Sequence, residues 1–110
     1  MILPPDTFIA PEKLTRYLLI PQARGDKSAF LARAGYSLDN YAVLLRDLRA
    51  QILPLEALPL GSNEFGQFFE ITGTLRGPNE VILRVRTIWM REQLTGVTKF
   101  ITLIPDTEGE

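Results

Sequence analysis

The stretch Val81-Ile82-Leu83-Arg84-Val85-Arg86-Thr87-Ile88-Trp89 decides the fold. Strict alternation predicts a strand with Val81, Leu83, Val85, Thr87 and Trp89 on one face and Arg84 and Arg86 on the other. The apolar face demands a core. The opposite face holds two cations on a rigid support, and no other segment offers a comparable candidate site.

Working outward, turn signals at Gly61-Ser62-Asn63, at Arg76-Gly77-Pro78-Asn79 and from Glu92 to Gly96 separate strands near 56–60, 67–75, 81–91 and 98–104. The second half therefore reads as an antiparallel meander. Because a one-residue slip inverts every side chain, register can be argued. Pairing 75 with 81 keeps Phe69, Ile71 and Leu75 on the face of Val81, Val85 and Trp89, with 76–80 as the loop. It sets Glu70 across from Arg86 and Thr72 across from Arg84. In the next hairpin, pairing Trp89 with Phe100 sets Thr87 beside Thr102 and Arg86 beside Leu103, with both threonines turned away from the arginines.

Upstream the period is helical. Pro11 opens a short helix over 11–19, where its missing N–H costs nothing, with Glu12 near the positive dipole end and Pro21 beyond its C-terminus. Asp26 caps a second helix over 27–34, and Gly35 stands where a left-handed C-cap is wanted. Ser37 or Asp39 opens the longest helix, which Pro54 ends. Tyr41, Leu44, Leu45, Leu48 and Ile52 form its apolar stripe, and Arg46, Asp47, Arg49 and Gln51 turn outward. Tyr17, Tyr36 and Tyr41 read as core edges. Three helices need the sheet's apolar face as it needs theirs, which predicts an α+β domain with the helices on one side of a four-stranded meander. Residues 1–110 read as one domain: a helical part at 11–53, a sheet part at 55–105 and a frayed acidic tail at 106–110.

The composition narrows the chemistry. Twelve Lys+Arg against 13 Asp+Glu leave a net charge of -1, so no global field draws the chain to nucleic acid or an anionic membrane, and any anion site must be local. With no cysteine and no histidine, thiolate nucleophiles, thiolate and imidazole metal sites and the usual neutral-pH acid-base are excluded. The acidic residues show no metal-ligating spacing, and no cofactor motif is present. The start of the chain has no leader pattern and no stretch is long and apolar enough to span a membrane, so a cytoplasmic location is expected.

Arg84, Arg86 and Glu70, with Thr72, form the principal candidate cluster, because guanidinium groups on a strand bind phosphate or carboxylate bidentately. The plainer reading is a solvated face with cross-strand ion pairs, each worth about 0.2–1 kcal/mol. Ile82, Ile88 and Ile101 make that face half apolar, which suits a partner or a second subunit. Lys27 and Ser28 sit at a helix start that favours an anion, although capping by Asp26 explains the segment without one. Trp89 and Phe100 read as core, not as a base-stacking pair.

Lys13-Leu14 with Tyr17-Leu18-Leu19, Gly25-Asp26-Lys27-Ser28 with Phe30-Leu31 and Gly35-Tyr36, and Arg86-Thr87-Ile88-Trp89 with Phe100-Ile101-Thr102 together resemble an uncharacterised family of small bacterial domains. Its members stand alone, often encoded beside a second small protein, or form C-terminal modules of larger toxin-like proteins. They usually carry a proline and a basic residue before the last strand. Here Thr98 and Lys99 keep the base and lose the proline. The layout also resembles the barnase, colicin and RelE-type ribonuclease fold, some of whose members cut RNA with lysine, arginine and tyrosine.

These readings converge on a toxin-like α+β domain that acts through a cognate small protein or a second copy of itself. Its enzymatic form would be a metal-independent ribonuclease: Arg84 and Arg86 hold the scissile phosphate and Lys99 or Lys27 supplies a proton. The contrasting reading is a non-enzymatic module that docks or dimerises through the outer sheet face. RNA is the substrate only under the first, and neither needs a cofactor, a metal or a membrane.

Overall fold

Pro11 starts helix α1, whose first turn Pro11–Lys13 widens into a π turn over Leu14–Leu18. The computed structural model describes residues 1–106 of the chain. The Leu19 N–H bonds the Leu14 carbonyl at 3.0 Å, and this wide turn brings Leu14, Leu18 and Leu19 all into the core. Helix α2, Ser28–Ala32, has Lys27 at its N-cap position and not the expected Asp26, whose Oδ1 instead accepts from the Ser28 N–H at 2.9 Å and from Ser28 Oγ at 2.6 Å in the turn before the helix. Gly35 closes it at φ 91°, the left-handed conformation that glycine adopts without strain. Helix α3 runs from a 3₁₀ turn, Leu38–Asn40, through Tyr41–Asp47 to a π turn, Leu48–Ile52. Its start is a capping box in which Asn40 Oδ1 accepts from the Ser37 N–H at 2.7 Å.

Four strands follow, β1 (Leu58–Ser62), β2 (Gly66–Arg76), β3 (Ile82–Glu92) and β4 (Thr98–Pro105), paired antiparallel in that order. The chain is thus an α+β fold with its helices on one sheet face. The N-terminal segment adds a short parallel bridge to β4, with the Phe8 N–H bonding the Thr98 carbonyl at 2.9 Å and the Phe100 N–H bonding the Phe8 carbonyl at 2.8 Å. Leu83, Val85, Thr87 and Trp89 are buried, and the arginines between them point to the other face. Val81 is exposed and precedes the strand.

At the centre of the core, Trp89 and Phe100 meet edge to face with centroids 5.1 Å apart. The indole N–H donates to Thr87 Oγ1 at 2.7 Å, and that hydroxyl donates to the Ile71 carbonyl at 2.9 Å. Every polar atom of this buried chain is satisfied, which lets a tryptophan and a threonine sit fully inside. A second buried pair departs from the sequence expectation. Asp47 faces inward and accepts from the Tyr36 hydroxyl at 2.7 Å, so Tyr36 is core and not a core edge.

The β2–β3 register also differs from expectation, by two residues. Leu75 faces Leu83, Ile71 faces Thr87 and Phe69 faces Trp89, while Glu70, Thr72 and Thr74 lie across from Ile88, Arg86 and Arg84. A two-residue shift preserves parity, so every side chain keeps its face. The cause lies in the connecting loop, which docks on the end of α2. Asn79 Nδ2 donates to the Arg33 carbonyl at 3.0 Å and the Asn79 N–H to the Ala34 carbonyl at 3.4 Å. Gly77 passes so close that a Cβ there would lie 2.0 Å from the Ala34 carbonyl oxygen. The acidic tail needs one correction as well. Asp106 is buried and its N–H bonds the Arg84 carbonyl at 2.9 Å, while 107–110 lie outside the described residues.

Replacing Thr87 by Val keeps the volume but leaves the buried indole N–H without its acceptor, and should cost about 1–3 kcal/mol in chemical denaturation. Trp89→Ala should cost about 3–5 kcal/mol. A loss well under 1 kcal/mol for the tryptophan variant would mean that its ring does not carry the core.

Candidate functional site

Strand β4 does not pair with β3 in one continuous register. Trp89 lies opposite Phe100, but Ile88 lies opposite Thr102, Thr87 opposite Leu103 and Arg86 opposite Ile104, so Ile101 is an extra residue. This bulge lets Phe100 and Leu103 both point into the core. Its consequence is that Thr102 shares the outer face with Ile88 and Arg86, where even pairing had turned it inward beside Thr87.

Thr102 is met there by two side chains from the helical half. Lys27, just before α2, places Nζ 2.7 Å from the Tyr17 hydroxyl and 3.4 Å from Thr102 Oγ1, and the same ammonium lies 4.8 Å from the Tyr17 ring centroid. Tyr17 lies in the last turn of α1, and the loop from 19 to 27 folds back to bring Lys27 beside it. The Tyr17 hydroxyl is held below its ordinary pKa, first by the hydrogen bond with Lys27 and then by that with Thr102, while burial opposes the shift and the charges of Lys27 and Lys13 add to it. Tyr36 moves the other way, raised by burial and by its bond to Asp47.

On β3, Arg86 Nη2 donates to Glu70 Oε2 at 2.6 Å and its Nε to the same oxygen at 3.2 Å. The contact runs diagonally, since Arg86 lies directly opposite Thr72. Thr72 Oγ1 donates to Glu70 Oε1 at 3.4 Å, so both carboxylate oxygens are held. Arg84, one alternation further along, has Nη2 4.0 Å from the buried Asp106 carboxylate. Thr102 and Arg86 are diagonal neighbours across β3 and β4, with Cα atoms about 7–8 Å apart. The outer face therefore carries Glu70 on β2, Arg86 on β3 and Thr102 on β4 in sequence, with Lys27 and Tyr17 at the margin. Of the residues proposed from sequence, Arg84, Arg86, Glu70, Thr72 and Lys27 share this part of the surface. Lys99 does not.

Lys99 sits opposite Met90, four residues along β3 from Arg86, a strand rise of about 13 Å. Its Nζ bonds Glu92 Oε2 at 2.7 Å, and Glu92 Oε1 accepts from Thr95 at 2.8 Å. That bonding holds the Glu92 carboxyl below its usual range, with Lys99 the largest cause. The pair lies in a depression of about 800 Å³ lined by Phe65, Phe68, Met90, Leu94 and Ile101 together with Glu64 and Gln93. Phe65 is 63% exposed and Leu94 92% exposed, on two turns joined by the Gln93 N–H to Phe65 carbonyl bond at 2.9 Å.

Tyr17 and Thr102 escaped the sequence reading. Tyr17 looked like any amphipathic helix tyrosine, and Thr102 was assigned inward because no residue in Phe100-Ile101-Thr102-Leu103 marks a bulge. Among the described residues no three acidic side chains are grouped to hold a metal ion, and no helix is long and apolar enough to cross a membrane.

Fold and site together define a small α+β domain whose candidate polar cluster spans the outer sheet face and is met at its margin by Tyr17 and Lys27 from the helical half. The family model of a domain of unknown function, DUF6883, matches residues 6–107, and the chain belongs to that family. No curated protein and no solved structure matches.

The opposite shifts of the tyrosines are directly measurable. In an NMR titration of ring-labelled tyrosine, Tyr17 should ionise at lower pH than a solvated tyrosine and Tyr36 at higher pH. Lys27→Met should raise the Tyr17 value and leave Tyr36 unmoved. No change at Tyr17 would show that the ammonium does not act on it.

Proposed function

We propose that the protein is a toxin-like domain that cleaves RNA without a metal, by transesterification on the outer face of its sheet. The observation that supports this most is the meeting of Lys27, Tyr17 and Thr102 at the margin of the face on which Glu70 and Arg86 stand. A ribose 2′-hydroxyl attacks the adjacent phosphorus while Glu70 accepts its proton. Arg86 balances the charge that builds on the non-bridging oxygens. As the bond from phosphorus to the 5′-oxygen breaks, Tyr17 gives its proton to that oxygen, and the Lys27 ammonium stabilises the phenolate left behind. The products are a 2′,3′-cyclic phosphate and a 5′-hydroxyl.

Distances suit this division of labour. Strands β2 and β4 are two interstrand spacings apart, about 10 Å, so base and acid stand on opposite sides of Arg86. In-line displacement needs attacking and leaving oxygens on opposite sides of the phosphorus. The lowered pKa of Tyr17 makes it a stronger acid than an ordinary phenol. Arg84, further along the same strand, suits an adjoining phosphate.

A second reading draws on the tight bond of Arg86 to Glu70 and on the apolar depression nearby. Both suit a face that docks a cognate small protein or a second copy, with the arginines giving specificity and not catalysis.

Against single-stranded RNA, Tyr17→Phe, Glu70→Gln and Lys27→Ala should each lower the cleavage rate roughly 100- to 10,000-fold while the circular dichroism stays unchanged. The wild-type rate should fall on the alkaline side as Tyr17 loses its proton, below the pH at which a solvated tyrosine would, and Tyr17→Phe should lack that limb. Induced expression should arrest growth and Arg84→Ala/Arg86→Ala should relieve the arrest. Arrest that persists in this folded double variant would reject the arginine-centred mechanism.

A further inference from the structure

We infer that the apolar depression at the β3–β4 turn is a guanine subsite for the same RNA substrate, an inference that rests on the ribonuclease reading. Phe68 and Met90 follow Glu70 and Ile88 at two-residue spacing along β2 and β3, and Ile101 adjoins Thr102 at the bulge. The depression therefore adjoins Glu70, about 7 Å along the strands, and lies about 13 Å from Arg86, on the side toward which the base of a nucleotide held at Arg86 would extend. Its volume of about 800 Å³ falls in the range of small-molecule sites, and its floor is apolar with few polar groups at the edge. Phe65, on its rim, leaves most of its ring exposed, a surface on which a base stacks.

The polar rim selects among bases. Lys99 spends one donor on Glu92 and keeps others to offer. A lysine donor matches the adjacent O6 and N7 acceptors of guanine, whereas adenine presents an amino group at the equivalent of O6. Glu64, on the opposite turn, supplies carboxylate oxygens for the guanine N1–H and exocyclic amino group. Cytosine presents paired acceptors at N3 and O2 but has no ring N–H beside its amino group for Glu64, and uracil leaves Glu64 with a single donor to accept from.

Binding of guanosine, adenosine, inorganic phosphate and guanosine 3′-monophosphate to the full chain separates the inference from the reading beneath it. Guanosine should bind at least tenfold more tightly than adenosine and perturb the Phe65 and Met90 resonances. Phe65→Ala, on an exposed turn, should weaken guanosine and guanosine 3′-monophosphate roughly 5- to 150-fold, the worth of one stacked base, and leave phosphate binding unchanged. Phe68→Leu provides a second, conservative variant inside the depression, with the same pattern expected. Arg86→Ala should weaken phosphate and the nucleotide but not the nucleoside. Equal binding of guanosine and adenosine, no binding of guanosine, unaltered affinity in Phe65→Ala, or a concentration-dependent dimer that excludes the nucleoside would each overturn the guanine subsite. Unaltered phosphate binding in Arg86→Ala, with guanosine still bound in the depression, would instead overturn the catalytic reading and leave the subsite standing.

Discussion

Strand β4 is governed by a parity constraint. It must bury Phe100 against Trp89 and Leu103 beside Thr87. Residues three apart in a regular strand face opposite ways, so one residue has to be extra. Ile101 is that residue. Once the bulge is present, Thr102 turns to the outer face, where Lys27 reaches it from the helical half. The core's demand for two large apolar groups thus creates the polar margin at which the candidate site assembles. The anchor of this arrangement is the Trp89 to Thr87 to Ile71 hydrogen-bonded chain. It fixes strand β3, which carries both the core face and the outer polar face.

A chain with almost no net charge can hold an anion only by local means, and the outer face shows how the cations are deployed. Arg86 is bonded to Glu70, Arg84 stands near Asp106 and Lys99 is bonded to Glu92. Each cation is held in place by a carboxylate. Lys27 differs, since its partners are the hydroxyls of Tyr17 and Thr102, and its charge is left uncompensated by them. The ammonium and two hydroxyls at this margin are already oriented toward one another, so a ligand proposed to bind there would need little further ordering.

Much of the architecture was legible in the sequence because alternation and capping are local. The faces of β3, the Asp26 turn before α2, the Gly35 terminator and the Ser37 start of α3 all follow from residues a few positions apart. What escaped is decided at a distance. The β2–β3 register is set by Asn79 on the end of α2, and Asp47 turns inward because Tyr36 satisfies it. Neither partner is visible from helix or strand period. For the site, Arg84, Arg86, Glu70 and Thr72 could be grouped from the pattern of β2 and β3 alone. Tyr17 and Thr102 could not, since Phe100-Ile101-Thr102-Leu103 carries no glycine or other mark of a bulge.

The central claim is that a sheet face without histidine or metal directs a ribose hydroxyl onto its own phosphate, and the ends of the products report on this most directly. The purified chain, kept in a metal chelator, is incubated with an oligoribonucleotide and with its all-deoxy counterpart, and the termini are read by phosphorus NMR. The account predicts 2′,3′-cyclic phosphate ends from the ribonucleotide and none from the deoxy strand, which lacks the attacking group. Cleavage of the deoxy strand, or an intact ribonucleotide after prolonged incubation, would contradict it.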